Sequence, residues 1–324
     1  MLIELEATRR RTLRVPTGGL ARWRRGVPLV LAIGVAAWLV APQVGDLPAG
    51  FAAVVDARPG WLLLAVIAAV LPHVASAIAL QGAVPARLCY LRTTQVQVAA
   101  ASATAVTPAG IAGMAINARY LERTGVARDQ ALAAVAVARA SAFVVHLLTL
   151  AALSPWLIDR LGVTVPTVGR LVATAAGIAV LVATVAVACR AARIRAAQLL
   201  RRAERTVGQV APDRGRLGLL LAGSFAISAT RALTLYACMR ALEGRAPLLA
   251  VAALFLAAEA AGAVATTPAG LGVLDAVTLT GLGAFGVVPA SAIGAVVLFR
   301  LLTVWGPVVP GLLALRRLRR VRLL

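Results

Sequence analysis

The sequence contains no lysine, and it holds only 12 acidic residues, two histidines, three cysteines and 4% aromatics. Each scarcity excludes something. Cys89, Cys189 and Cys238 are too scattered for a disulfide framework, a CxxC redox pair or a zinc site, so free buried thiols are expected. The arginines gather at the ends of apolar runs without interleaved aromatics, which is not the stacking surface of a nucleic-acid binder. No HExxH, GxxxxGK[ST] or aspartate-rich metal motif occurs, and no Ser or Cys nucleophile has a credible His partner. The expectation is therefore no catalytic residue, no metal and no cofactor.

What the chain has in excess is apolar surface: 61% of its residues are hydrophobic and the mean hydropathy is +0.90. A single soluble core cannot bury that much, so lipid must be the solvent for much of it. Six windows of about 16 to 25 mostly apolar residues are each long enough to cross a ~30 Å hydrocarbon core as a helix. They are Val27 to Pro42, Pro59 to Ala83, Gln130 to Pro155, Arg170 to Cys189, Leu217 to Met239 and Pro289 to Leu315. The first follows an Arg-rich leader and precedes no small-x-small cleavage site, so it is expected to remain as a span. An all-α polytopic protein of the plasma (inner) membrane follows, its charge of +21 carried by 33 arginines placed by topology.

The chain also repeats itself. Thr107-Pro108-Ala109-Gly110 recurs as Thr267-Pro268-Ala269-Gly270, 160 residues later. A Gly-Val pair follows each copy (Gly125-Val126 and Gly286-Val287), and 14 residues past that glycine an arginine stands in an apolar run, Arg139 or Arg300. Three landmarks in register imply two homologous halves, residues 27–165 and 166–315, between Arg-rich tails at 1–26 and 316–324. The segment 190–216 reads either as a basic amphipathic helix on the inner leaflet or as a solvated linker.

Arginine placement decides the orientation of the halves. If each segment ending at a TPAG turn enters the membrane and returns, only Arg58, Arg160, Arg170, Arg240 and Arg245 fall outside. Arg139, Arg231 and Arg300 then lie within spans, and every other arginine is inside with both termini. Full crossings would strand many more outside. The expected fold is two inverted repeats, each of three transmembrane helices and one re-entrant helical hairpin, with a site near the midplane.

The turns carry the expected chemistry. Thr is a favoured N-cap and Pro a favoured first helical residue, so Thr107 and Thr267 should each start a half-helix deep in the bilayer. Its free N–H groups need an acceptor, and Gly110 and Gly270, with Gly113 and Gly272, let an anion approach the backbone. Arg139 and Arg300 lie near mid-membrane, where a charge must face a partner or a wet cavity. Either they bind substrate or they cap helix carbonyls. Asp275 is placed to pair with Arg300 as an ion pair, or to serve a coupling ion or headgroup. Glu259 is a proton carrier or the partner of Arg231, whereas His146 reads as a hydrogen-bonded packing residue and His73 carries less information still.

The stretch TTPAGLGVLDAVTLTGLGAFGVVPASAIGAVVLFRLLTVWGPVVPG resembles the membrane region of the lysylphosphatidylglycerol synthase family, also described as flippase-like. The similar places are Pro268, Gly270 with Gly272, Asp275, Gly286-Val287, Arg300, Trp305, Pro307 and Gly311. In the first half, Arg119 and Arg139 stand at the family's basic positions. Asp275 replaces the family's usual Glu, and the acid that often follows the first Gly-rich turn is missing. The resemblance implies a flippase-like protein that binds and translocates an anionic phospholipid or lipid-linked substrate. Thr107, Gly110, Arg139, Thr267, Gly270 and Arg300 would hold the phosphate, with Asp275, Glu259 and Arg119 at the headgroup or coupling ion. The alternative is a non-transporting subunit that binds lipid or scaffolds an envelope enzyme. The chain ends soon after the last window, so aminoacyl transfer is not expected.

Overall fold

The computed structural model describes residues 52, 54–105, 111–160, 213–264, 272–321 and 323–324. The first and fourth apolar windows, both TPAG turns, and the basic segment as far as residue 212 lie outside the described residues. Those described form an all-helical protein: α1 (Pro59–Ala83), α2 (Tyr90–Ala105), α3 (Ile111–Arg123), α4 (Arg128–Arg160), α5 (Arg214–Ala241), α6 (Leu248–Val264), α7 (Val273–Ala284), α8 (Pro289–Arg300) and α9 (Val308–Arg320). A π-helical turn, Leu301–Trp305, joins the last two. Among the described residues, four stretches are long and apolar enough to cross a membrane: Pro59–Ala83, Arg128–Trp156, Arg214–Ala241 and Pro289–Arg320. They coincide with four of the six windows.

Local chemistry explains the ends and interruptions. Asp213 caps α5, accepting from the N–H groups of Gly215 and Arg216 at 3.1 and 3.2 Å. The hydrogen bond from the Arg216 backbone, reinforced by its side chain, holds the Asp213 carboxyl below its ordinary value. In α4, Pro155 offers no N–H to Ala151, and the Ser154 hydroxyl donates to that carbonyl instead at 2.9 Å. Pro307 likewise cannot donate. The ladder ahead of it widens, and Gly306 donates to the carbonyl of Leu301 in an i to i−5 bond.

The pair α1 and α5 makes the most extensive contact among the described residues. They run antiparallel: Arg58 donates to Ala241 at one end, and Gly82 lies on Leu220 at the other. The approach is close because a Cβ on Gly223 would meet the Ala79 nitrogen at 2.5 Å and the Ala75 carbonyl at 2.8 Å. A buried cluster sits at each end. One joins Ala65, Cys238, Leu242, Phe255, Leu282 and Val287; the other joins Leu80, Val84, Leu220, Tyr120, Val126 and Leu318.

Each cluster holds the open end of one helical hairpin. In α2 and α3, Thr93 meets the Tyr120 hydroxyl at 3.0 Å, Gln97 donates to Asn117 at 2.7 Å, and Gly113 lies against Thr104 and Ala100. The chain therefore enters at the Val84 end and returns to it. In α6 and α7, Leu254 fills the space beside Gly281, and Val251 and Leu282 share the cluster at the Ala241 end. As described, the hairpin helices hold 16, 13, 17 and 12 residues, or roughly 18 to 26 Å at 1.5 Å per residue. Gly125 and Gly286, which close the hairpins with φ of 92° and 78°, lie at opposite ends of the α1–α5 pair.

Apolar side chains also face outward in stripes of helical spacing. Leu63, Ile67, Val70 and Val74 form one on α1, and Trp305, Val309 and Leu312 another, all exposed. Such faces suit lipid.

Candidate functional site

Between the hairpins lie two adjoining cavities of 310 and 380 Å³. Both are bordered by Ser76, Gln97, Arg139, Ile227, Arg231 and Glu259, so α1, α2, α4, α5 and α6 all contribute. Pro72, His73, Arg300 and Thr303 belong to the second cavity alone, and Asn117 and His146 to the first. These volumes hold a lipid headgroup but not its chains.

The three arginines differ in what they touch. Arg300 is buried and donates through Nε to Asp275 Oδ1 at 2.6 Å. The other oxygen of that carboxylate accepts from the Gly272 N–H at 3.1 Å. Gly272 has φ of 91°, which is why glycine stands there. The N-terminus of α7 is thus answered by the protein's own carboxylate, which neutralises Arg300 as well. Arg231 pairs with Glu259 and lies 5.8 Å from the Phe255 ring centre.

Arg139 has neither kind of partner. About 17 Å along α4 from Arg128, it opens into both cavities and makes no hydrogen bond or ion pair among the described residues. At the first-half position matching Asp275 in the TPAG register stands Ala115. The symmetric arginines therefore sit in asymmetric surroundings. Among the described residues, Arg139, Arg231 and Arg300 in the walls, set against Glu259 in the walls and Asp275 behind Arg300, leave one positive charge in excess.

His146 is buried and bridges helices. Its Nε2 lies 3.0 Å from the Leu256 carbonyl and so carries the proton, which leaves Nδ1 to accept from Ser228 at 3.1 Å in the neutral ring. Glu259 is 3.5 Å from the same nitrogen.

The family described as the lysylphosphatidylglycerol synthase TM region matches residues 27–311. The chain belongs to it. No curated protein matches the chain. As a member of the lysylphosphatidylglycerol synthase TM-region family, with its apolar spans, it is a membrane protein of a lipid-related class.

Of the residues expected at the site, the structure brings Arg139, Arg300 and Glu259 to one cavity system, with Asp275 behind Arg300. Thr107, Gly110, Thr267 and Gly270 lie outside the described residues. Arg119 is elsewhere, on the exposed side of α3, where it pairs with Glu122 at 3.1 Å. Gly113 serves packing: a Cβ there would strike Thr104 Oγ1 and meet the Ala100 carbonyl at 3.0 Å. Sequence reasoning missed Gln97, Asn117 and Ser228. Their signal was present, since polar amides in helices of this apolar setting need partners.

Proposed function

We propose that the protein binds the anionic headgroup of a phospholipid or lipid-linked molecule in the Arg139 cavity and carries it across the membrane. One observation carries the reading: a guanidinium near the middle of a membrane span opens into a cavity and has no carboxylate partner among the described residues. A charge at that depth costs at least about 2.5 kcal/mol unless it is compensated. A phosphate supplies the missing anion, and the planar guanidinium binds it in a bidentate fork. Gln97, Asn117 and Ser76 offer polar groups beside it, while the acyl chains stay among the exposed apolar stripes.

Transport through such a site needs access from both sides. The antiparallel α1 and α5, and hairpins that open at opposite ends of them, support an inverted-repeat arrangement with two re-entrant hairpins. The described lengths of the hairpin helices favour it too, since each falls short of a ~30 Å hydrocarbon core. The Arg231–Glu259 pair then forms the mobile charge next to the anion, able to re-pair as the headgroup enters.

The test is lipid retention. Native mass spectrometry of the protein in mild detergent should show a bound anionic phospholipid that Arg139→Gln loses and Arg320→Gln keeps. Equal retention by both variants would show that the cavity arginine does not hold lipid.

A further inference from the structure

A second basic site lies far from the Arg139 cavity, where α1 begins and α5 ends. Arg58, Arg240 and Arg245 converge there with Glu243 around a hollow of 360 Å³. Three guanidiniums face one carboxylate, leaving the walls with two positive charges in excess. Under the topology that arginine placement favours, this is the arginine-poor end of the protein. Positively charged residues are selected against there. Three of the few it keeps are nonetheless gathered on one hollow.

Their individual settings differ. Arg240 lies over Trp61, 5.2 Å from the ring centre, and Trp61 stands edge-on to Tyr236. The ring face holds the guanidinium beside it. Its Nε is buried and has no hydrogen-bond partner among the described residues. Arg245 is exposed, with no ion pair among the described residues. Arg58 is held by Glu243 through Nε at 3.1 Å and Nη2 at 2.6 Å.

Glu243 itself is the anomaly. With φ of 63° it is the one non-glycine residue of left-handed backbone among those described. It follows the C-terminus of α5, where a helix usually places glycine in that conformation. Gly244 comes one residue later. A side chain held against that strain points to a use for its carboxylate, which holds Arg58 in a cluster that would otherwise be purely cationic.

We infer that this hollow is a second, interfacial binding site for a phosphoryl group, with Arg240 and Arg245 as its donors and Glu243 as an internal competitor that releases Arg58 when the ligand arrives. Forked guanidiniums match phosphate oxygens, and Trp61 and Tyr236 are the residue types found at the headgroup level of a bilayer. A lipid headgroup and a soluble phosphate offer the same chemistry. The site does not depend on the Arg139 cavity.

The experiment is best done in an Arg139→Gln background, so that the cavity cannot supply the signal. Binding of a short-chain phosphatidylglycerol is measured by isothermal titration in uncharged detergent, with pyrophosphate as competitor. Arg245→Gln should weaken binding about tenfold without affecting folding, since Arg245 has no ion pair to lose. Glu243→Gln should tighten it several-fold, an outcome that no purely structural role for the cluster produces. Displacement by pyrophosphate identifies a phosphate-group site open to soluble ligands; resistance to it identifies a lipid site. Unchanged affinity in both Arg245→Gln and Glu243→Gln, or no binding before either change, overturns the proposal.

Discussion

Arg139 and Arg300 occupy matching places in matching halves, yet Asp275 answers only one of them. The difference predicts opposite mutational behaviour. Arg300→Gln or Asp275→Asn alone leaves a desolvated charge and should each destabilise the protein by about 3 kcal/mol, while the double variant should lose much less than the sum. Thermal unfolding in detergent measures this. In delipidated protein, Arg139→Gln should leave the melting temperature unchanged or raised, because it removes a charge that no carboxylate among the described residues compensates. Destabilisation equal to that of Arg300→Gln would make Arg139 a packing cation. The need for an acid near Arg300 was legible from the eight-residue spacing of Asp275 from Thr267. The isolation of Arg139 was legible only as a missing acid, whose meaning depends on the cavity.

The two hairpins are held by different forces. Polar groups join α2 and α3 through Gln97–Asn117 and Thr93–Tyr120, whereas α6 and α7 close on Leu254 and Gly281. Gln97→Leu should therefore cost about 1 kcal/mol by unpairing Asn117. Gly113→Ala should cost more than Gly281→Ala: its Cβ meets a backbone carbonyl and a hydroxyl, while Gly281 faces only the flexible end of Leu254. Unfolding of the two variants side by side checks the order, and a reversed order would mean that the first hairpin tolerates a wider spacing. The hairpins were readable as a pattern because a Thr-Pro start interrupts two apolar runs in register. Their seams were not. Gln97 and Asn117 lie 20 positions apart, and nothing local pairs them. The π-helical turn is a related case: Pro307 announces a disturbance, but its position at Leu301–Trp305 depends on how the preceding carbonyls re-pair.

The halves fit together through α1 and α5, whose antiparallel course carries the inverted arrangement proposed for the whole chain. Long apolar windows were enough to foresee these helices, while their mutual approach depends on Gly82 and Gly223, glycines with no repeat counterpart. The arrangement predicts that Arg123→Cys and Ala284→Cys, beside the hairpin-closing glycines, react with an impermeant thiol reagent from opposite faces of the membrane. The background must first lose Cys89, which is exposed. Labelling of both from one face would refute inverted repeats. The claim that the Arg139 cavity moves an anionic lipid is tested most directly in proteoliposomes carrying fluorescent phosphatidylglycerol in both leaflets, with an impermeant quencher added outside. The account predicts that the unmodified protein exposes the inner-leaflet probe to quenching, that Arg320→Gln does the same, and that Arg139→Gln leaves the inner half protected. Quenching by Arg139→Gln at the rate of the unmodified protein would contradict it.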